Sequence, residues 1–345
     1  MNEWTISRQQ RHQGDDTGPR ADDAHVVNNQ RTRRHRLQLL LSAGALTLAL
    51  AATTTGTAAA SPDTAVSGID KTVVIGLDGT MLAEVRDAAA PNLHRLLAEG
   101  ASAEASIAGH PTISGPSWST ILTGVWHTEH GVVDNSYLGA RFDRYPSVFT
   151  RIERERPELR TASIATWDGI ARIATSGPPA ADVVVTTPGA SILPTIDART
   201  ATSVVAEIET NGPDFLFTQL DHVDAVGHVG GTNSPLYRTA IERVDVEVGR
   251  IVDAVDARRA ATGENWTVLV VSDHGHTPTG GHGGQSPHEA STFVIARGDG
   301  IEAGRVNAGF TLADVTPTVL ANLGLDVPAE LAGTPVPRSG QSVPA

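Results

Sequence analysis

Three strand-length apolar runs each stop on an acidic residue, and this pattern restricts the chain more than any other feature. Residues 72–77 run into Asp78, 215–220 into Asp221 and Asp224, and 266–272 into Asp273-His274. Runs apolar at nearly every position, rather than at alternate ones, suit strands buried on both faces. Further strand-length segments at 162–166 and 182–186 alternate with helical patterns, the mark of a βαβ layered fold. The expected architecture is α/β: a largely parallel central sheet with helices on both faces. Ligands of such sheets bind beyond the carboxyl ends of the strands, so three strand ends would bring acids and imidazoles to one edge. A single Asp after a strand is usually a turn or a helix cap. Three of them beside histidines point to a site.

Helices are expected at 91–99, with Pro91 in the first turn and Gly100 as the stop, and at 114–124, entered through Ser114-Gly115-Pro116. Longer helical patterns cover 198–210 and 236–260, and a last helix at 314–323 breaks at Gly324. The stretch 275–291 is rich in glycine and histidine and reads as a loop, polar enough to expose His276 and His288.

The N-terminal part has a different character. Residues 1–36 are polar and end in the basic cluster Arg31-Thr32-Arg33-Arg34-His35-Arg36, and read as a disordered basic region. Residues 37–60 supply a short apolar core and the small residues of an Ala-x-Ala cleavage site, together a secretory signal. The run is shorter than the ~20 apolar residues of a membrane span. No stable span is therefore expected after cleavage, and the location is secreted or at the cell-envelope exterior. The twin arginines suggest export of a folded protein. Residues 61–345 then form one α/β domain, with no linker strong enough to divide it.

The formal charge is −13, and residues 1–60 hold seven Arg against five Asp/Glu, which leaves −15 on the remainder. That balance argues against a nucleic-acid-binding surface. It also means that an anionic substrate would need local positive charge, which metal ions can provide. The chain has no cysteine, which excludes disulfides, thiolate metal sites and a cysteine nucleophile.

Seven residues carry the expected chemistry: Asp78, Ser114, Asp224, His228, Asp273, His274 and His282. Zinc takes carboxylate oxygen and imidazole nitrogen, so Asp224-x-x-x-His228 and Asp273-His274 suit it. His282 lies in Gly280-Gly281-His282-Gly283-Gly284, where the backbone can approach a metal closely. Ser114 precedes a helix whose free N–H groups suit an alkoxide or a phosphate, although an ordinary N-cap serine occupies the same position. Thr112 is the alternative nucleophile. His110, His127 and His130 flank Ser114 without metal spacing.

These segments resemble the alkaline phosphatase superfamily, nearest its nucleotide pyrophosphatase/phosphodiesterase-like branch. The likeness runs from about 72 to 336 and rests on Val74-Ile75-Gly76-Leu77-Asp78-Gly79, Pro111-Thr112-Ile113-Ser114-Gly115-Pro116, His130-Gly131-Val132-Val133-Asp134-Asn135, Asp224-Ala225-Val226-Gly227-His228, Ser272-Asp273-His274-Gly275, Gly281-His282-Gly283 and the closing helix from Asp314. The resemblance implies an alkaline phosphatase-like fold and two divalent metal ions, zinc by ligand type. It places Asp78, Ser114, Asp273 and His274 on one ion, and Asp224, His228 and His282 on the other. It implies a phosphate-ester hydrolase acting on a small molecule, with Ser114 forming a phosphoseryl intermediate. Asn135 would hold a phosphoryl oxygen, and Ser117 and Trp118 would face the substrate.

Two positions depart from that branch. Its usual nucleophile is threonine, and it tends to carry Pro-Asn after it, where this chain has Pro116-Ser117. The rival readings are a phosphomonoesterase, a phosphonate hydrolase, a sulfatase and a non-catalytic exported metal-binding protein; a phosphomutase suits an exported protein less well, because phosphorylated metabolites lie largely inside the cell. The sulfatase reading is weakened because Trp118 stands where its modification motif needs arginine.

Overall fold

Successive side chains of the first apolar run enter opposite cores. Val73, Ile75 and Leu77 pack on one side of the sheet, and Val74 packs on the other. The computed structural model describes residues 70–339 together with Val26–Asn28. The signal-peptide segment 37–60 lies outside the described residues.

The strands are β1 (Val26–Asn28), β2 (Lys71–Leu77), β3 (Ala101–Ser106), β4 (Thr161–Ala165), β5 (Val183–Thr186), β6 (Phe215–Leu220), β7 (Trp266–Ser272) and β8 (Ser291–Arg297). They form one sheet in the order β1-β5-β4-β6-β2-β7-β8-β3. The middle of the sheet is parallel from β5 to β7, with Val74 level with Phe217 on one side and Leu269 on the other. Both edges are antiparallel, through β1 on β5 and through β8 on β7 and β3. The expected largely parallel sheet is thus present, with antiparallel edges added.

Helices α1 (Leu82–Asp87), α2 (Pro91–Glu99), α7 (Thr195–Asn211), α8 (His222–Gly230) and α9 (Pro235–Thr262) bury their apolar side chains on one face. Helices α3 (Ser114–Thr123), α5 (Val148–Glu155), α6 (Asp168–Ala174) and α10 (Val315–Asn322) cover the other, and the short α4 (His127–His130) follows α3. Each fully buried Val, Leu, Ile or Phe contributes about 1.5–3 kcal/mol, so the two layers fix the sheet from both sides. Pro91 and Pro235 open their helices with a preset φ, and Ser234 caps α9 by accepting the Leu236 N–H. Among the described residues no helix is long and apolar enough to cross a membrane.

One expectation changes, and Gly100 stops α2 as expected. Val26–Asn28 falls in the segment read as disordered, yet its backbone pairs with the edge strand β5. Gly100 ends α2 in extended backbone rather than a left-handed cap. The reason for glycine there is space, since a Cβ would lie 2.4 Å from the Ala296 carbonyl oxygen.

Candidate metal centre

The three adjacent strands β6, β2 and β7 deliver their acids to one edge. Asp78 follows β2, Asp221 follows β6, and Asp273-His274 follow β7. Asp224 and His228 stand one turn apart on α8, so their spacing puts both on the same helix face. His282 arrives from the glycine-rich loop. All seven predicted residues meet here, in groups close enough to hold cations: Asp78, Asp273 and His274 in one, and Asp224, His228 and His282 in another. Ser114 adjoins the first.

The first group converges on a single ring nitrogen. His274 Nε2 is 3.3 Å from Ser114 Oγ, 3.5 Å from Asp78 Oδ1 and 3.3 Å from Asp273 Oδ2. Its Nδ1 is 3.1 Å from the Gly275 carbonyl, which can only accept, so Nδ1 carries the hydrogen and Nε2 presents a lone pair. Each acid is held by one oxygen and free at the other. Asp78 Oδ2 accepts the Trp118 indole N–H at 2.9 Å and the Gln219 amide N–H at 2.8 Å. Asp273 Oδ1 accepts the Gly79 N–H at 3.1 Å. The remaining oxygens, Asp78 Oδ1 and Asp273 Oδ2, are buried without a hydrogen-bond partner among the described residues. Facing lone pairs with no donor between them are what a cation would satisfy, and carboxylate oxygen with imidazole nitrogen fits a borderline divalent ion such as zinc.

The second group repeats the plan. His282 donates from Nδ1 to the Thr112 carbonyl at 2.7 Å, which leaves Nε2 as a lone pair 3.2 Å from His228 Nε2 and 3.6 Å from Asp224 Oδ1. His228 Nε2 lies 3.3 Å from Asp224 Oδ2, and this imidazole is the exposed one, with about half its side chain open to solvent. Backbone carbonyls on Nδ1 orient metal-binding histidines in this manner.

Burial sets the electrostatics. It pushes Asp78 well above the ordinary carboxylate range, helped by Asp273, Asp224 and Asp221. Asp273 is raised by burial, against the Gly79 hydrogen bond. His274 is held well below the usual imidazole range by burial and by His282. Burial would raise Asp224 too, but hydrogen bonds from His228 and His276 outweigh it and hold it low. His228 is raised through that same bond. Acids and imidazoles gathered this closely, most of them packed out of water, call for added positive charge.

The structure separates Ser114 from its structural alternative. The N-cap of α3 is Ile113, and Ser114 is the first helical residue, its hydroxyl partnered by His274 rather than by a backbone N–H among the described residues. Its hydroxyl faces His274. Thr112 is fully buried and its hydroxyl is committed to the glycine-rich loop, so it is not a nucleophile. Asn135 is exposed, and its Oδ1 accepts the N–H of Gly115, next to Ser114, at 2.7 Å, which leaves the amide N–H groups outside that bond. The turn here is closed by Asp134, whose Oδ1 accepts the Ser136 N–H at 2.8 Å, so Asn135 is not spent on it.

Two expected substrate contacts are corrected. Trp118 is fully buried under α3, against Phe217 and over Gly76, because one helical turn past Ser114 its side chain points into the sheet. Ser117 is buried and donates to the Pro111 carbonyl at 3.3 Å. Neither faces a substrate.

His276 is the residue that the sequence reading missed. It is fully buried, its Nε2 lies 2.8 Å from Asp224 Oδ1, and it can join Asp224 and His274 in a third cation-capable group. Space for it comes from Gly79 and Gly227, where a Cβ would sit 2.5 Å from its ring. Gly79 also has φ +61°, so glycine is required there twice over. His288 is exposed, as expected, and His110, His127 and His130 join none of these groups.

An α/β sheet with acids, imidazoles and a helix-borne serine at its carboxyl edge defines a class of site that could hold cations beside a hydroxyl. The chain belongs to the type I phosphodiesterase / nucleotide pyrophosphatase family, whose model matches residues 72–285, more than half of the 345. A 2,3-bisphosphoglycerate-independent phosphoglycerate mutase of Haloarcula marismortui is 34% identical over 142 residues, covering 39% of this chain and 26% of that protein. An uncharacterized pyrophosphatase/phosphodiesterase of Schizosaccharomyces pombe is 26% identical over 229 residues, covering 60% of this chain and 45% of that protein. The chain thus spans between about a quarter and a half of these relatives' length. Murine ectonucleotide pyrophosphatase / phosphodiesterase 5, solved in complex with AMP, superposes with a TM-score of 0.60 at 14% identity, over 76% of this chain and 97% of that one. This likeness extends the shared architecture beyond the segment matched by the family model.

Proposed function

We propose that the protein is an exported, metal-dependent phosphodiester hydrolase that works through a phosphoseryl intermediate on Ser114. The observation that carries this reading is the convergence of Ser114 Oγ, Asp78 Oδ1 and Asp273 Oδ2 within 3.5 Å of His274 Nε2. Asp78, Asp273, His274 and Ser114 would hold one divalent ion, and Asp224, His228 and His282 the other. Such ions lower the pKa of a bound hydroxyl and take up charge on phosphoryl oxygens.

The chain's own residues do the rest. Ser114 Oγ forms a bond to phosphorus while the ester bond to one alcohol breaks, and that alcohol leaves with a proton. Water then cleaves the Ser114–phosphorus ester, which restores the hydroxyl and releases the monoester. Asn135 presents amide N–H groups to the phosphoryl oxygens from the outer side. Among the described residues no Lys or Arg is hydrogen-bonded or ion-paired to any of these ligands. A site whose further donor is a neutral amide suits a singly charged diester better than a doubly charged monoester.

The test is hydrolysis of bis-p-nitrophenyl phosphate, p-nitrophenyl phosphate and p-nitrophenyl sulfate, with zinc added and after chelation. Faster, chelator-sensitive diester cleavage is expected. Faster monoester cleavage would make it a phosphatase, and cleavage of the sulfate alone would overturn the reading. Export through residues 31–60 predicts a secreted form whose N-terminus lies near Ser61, which sequencing of that terminus checks.

A further inference from the structure

We infer that Thr112 is a positioning residue that fastens the segment entering Ser114 to the loop bearing His282, and so governs cation binding at Asp224, His228 and His282. This rests on the metal-centre reading above. The Thr112 hydroxyl donates to the Gly284 carbonyl at 2.7 Å and accepts the Gly283 N–H at 3.1 Å. Its backbone carbonyl accepts the His282 Nδ1–H at 2.7 Å. One buried residue therefore binds three consecutive positions of the loop, two residues before the nucleophile.

The loop needs such a fastening. Gly283 has φ +107°, in a region that glycine enters freely, and a free glycine-rich loop would sample many other conformations. Glu289 fixes the far side by accepting the Gly284 N–H at 2.6 Å, so both backbone groups of Gly284 are held by side chains. The nearer hold on Gly283 and Gly284 comes from the Thr112 hydroxyl. Without it, the Gly283 N–H and the Gly284 carbonyl lose their partner, and only the Thr112 carbonyl is left to keep His282 at 3.2 Å from His228. The Asp78, Asp273 and His274 group has its own supports in Trp118, Gln219 and Gly79, and does not use this clasp.

The experiment is calorimetric titration of the chelator-stripped full chain with zinc, comparing wild type, Thr112→Val and Thr112→Ser. Valine keeps the branched shape without the hydroxyl, and serine keeps the hydroxyl. We expect two equivalents in wild type. In Thr112→Val one affinity should remain and the other weaken about 10–100-fold, the usual effect of losing a group that orients a ligand. Thr112→Ser should restore it. Two unchanged affinities in Thr112→Val, equal weakening of both, or failure of serine to rescue would each overturn the inference while leaving the metal centre standing. A wild type that binds no zinc would overturn both.

Discussion

Trp118 donates its indole N–H to Asp78 Oδ2 at 2.9 Å, so a fully buried side chain on α3 decides which oxygen of Asp78 stays free. Ser114 and Trp118 are four residues apart on the same helix. One helix face therefore carries Ser114, the proposed nucleophile, at its tip and the support of Asp78, a proposed metal ligand, one turn below. Gly76 makes room for the indole, whose ring would lie 2.5 Å from a Cβ at that position.

Replacing Trp118 by phenylalanine should keep most of the packing and lose the N–H. Gln219 still donates to the same oxygen, so the carboxylate is loosened rather than abandoned. The expected result is a folded protein, about 1–3 kcal/mol less stable. Its zinc affinity should fall about 10–100-fold, with the ranking of substrates unchanged. Denaturant unfolding and zinc titration measure the first two. A change in substrate ranking would mean that the indole reaches the substrate after all.

Ser114→Ala should remove hydrolysis while leaving fold and zinc binding at His228 and His282 intact. Loss of a nucleophile typically costs on the order of 10⁴-fold or more in kcat. Acid quenching of the wild type during turnover of a labelled diester should trap label on the protein, and none on the alanine variant. Label retained by Ser114→Ala would place the covalent step elsewhere.

Much of this site was legible because strands buried on both faces leave continuous apolar runs, and the acids stand directly beyond them. Phe215–Leu220 and Trp266–Ser272 match their observed bounds. The antiparallel edge was not legible. Ala101–Ser106 is built of small and polar residues, and only its pairing with Ser291–Arg297 makes it a strand. Helix α8 was hidden by its glycines, although the Asp224–His228 spacing was already helical. His276 was misjudged for a different reason. Its neighbours in sequence are polar, but its burial depends on Gly79 and Gly227, far away in the chain.

Cation binding should stabilise the protein and release protons. Burial raises Asp78 and Asp273, so a metal competes with protons there more than at an ordinary carboxylate. Zinc affinity is therefore expected to rise with pH, and calorimetry in buffers of different ionisation enthalpy reads the released protons directly. Free zinc at 100 times Kd adds about 2.7 kcal/mol, or roughly 5–10 °C in Tm for a domain of this size. Chelation should reverse the shift. A Tm indifferent to zinc and chelator would contradict a bound ion.

His130 predicts a pH dependence that is separable from the metals. It is fully buried behind α3, where its Nδ1 accepts the Val132 N–H at 3.1 Å and its Nε2 lies 3.1 Å from Thr120 Oγ1. Burial, then the nearby His127, pushes its pKa from 6.5 down to about 3. Below pH 6.5 the unfolded chain takes up a proton there that the native protein refuses, so stability falls as pH drops toward about 3. The slope from this one group approaches ~1.4 kcal/mol per pH unit within that window and vanishes above it. His130→Asn keeps an oxygen acceptor near the Nδ1 position and cannot titrate. Urea unfolding of both proteins, stripped of metal, should give curves that diverge at neutral pH by a constant and converge as the pH is lowered. Parallel curves from pH 7 to pH 4 would show that His130 is free to protonate in the native state.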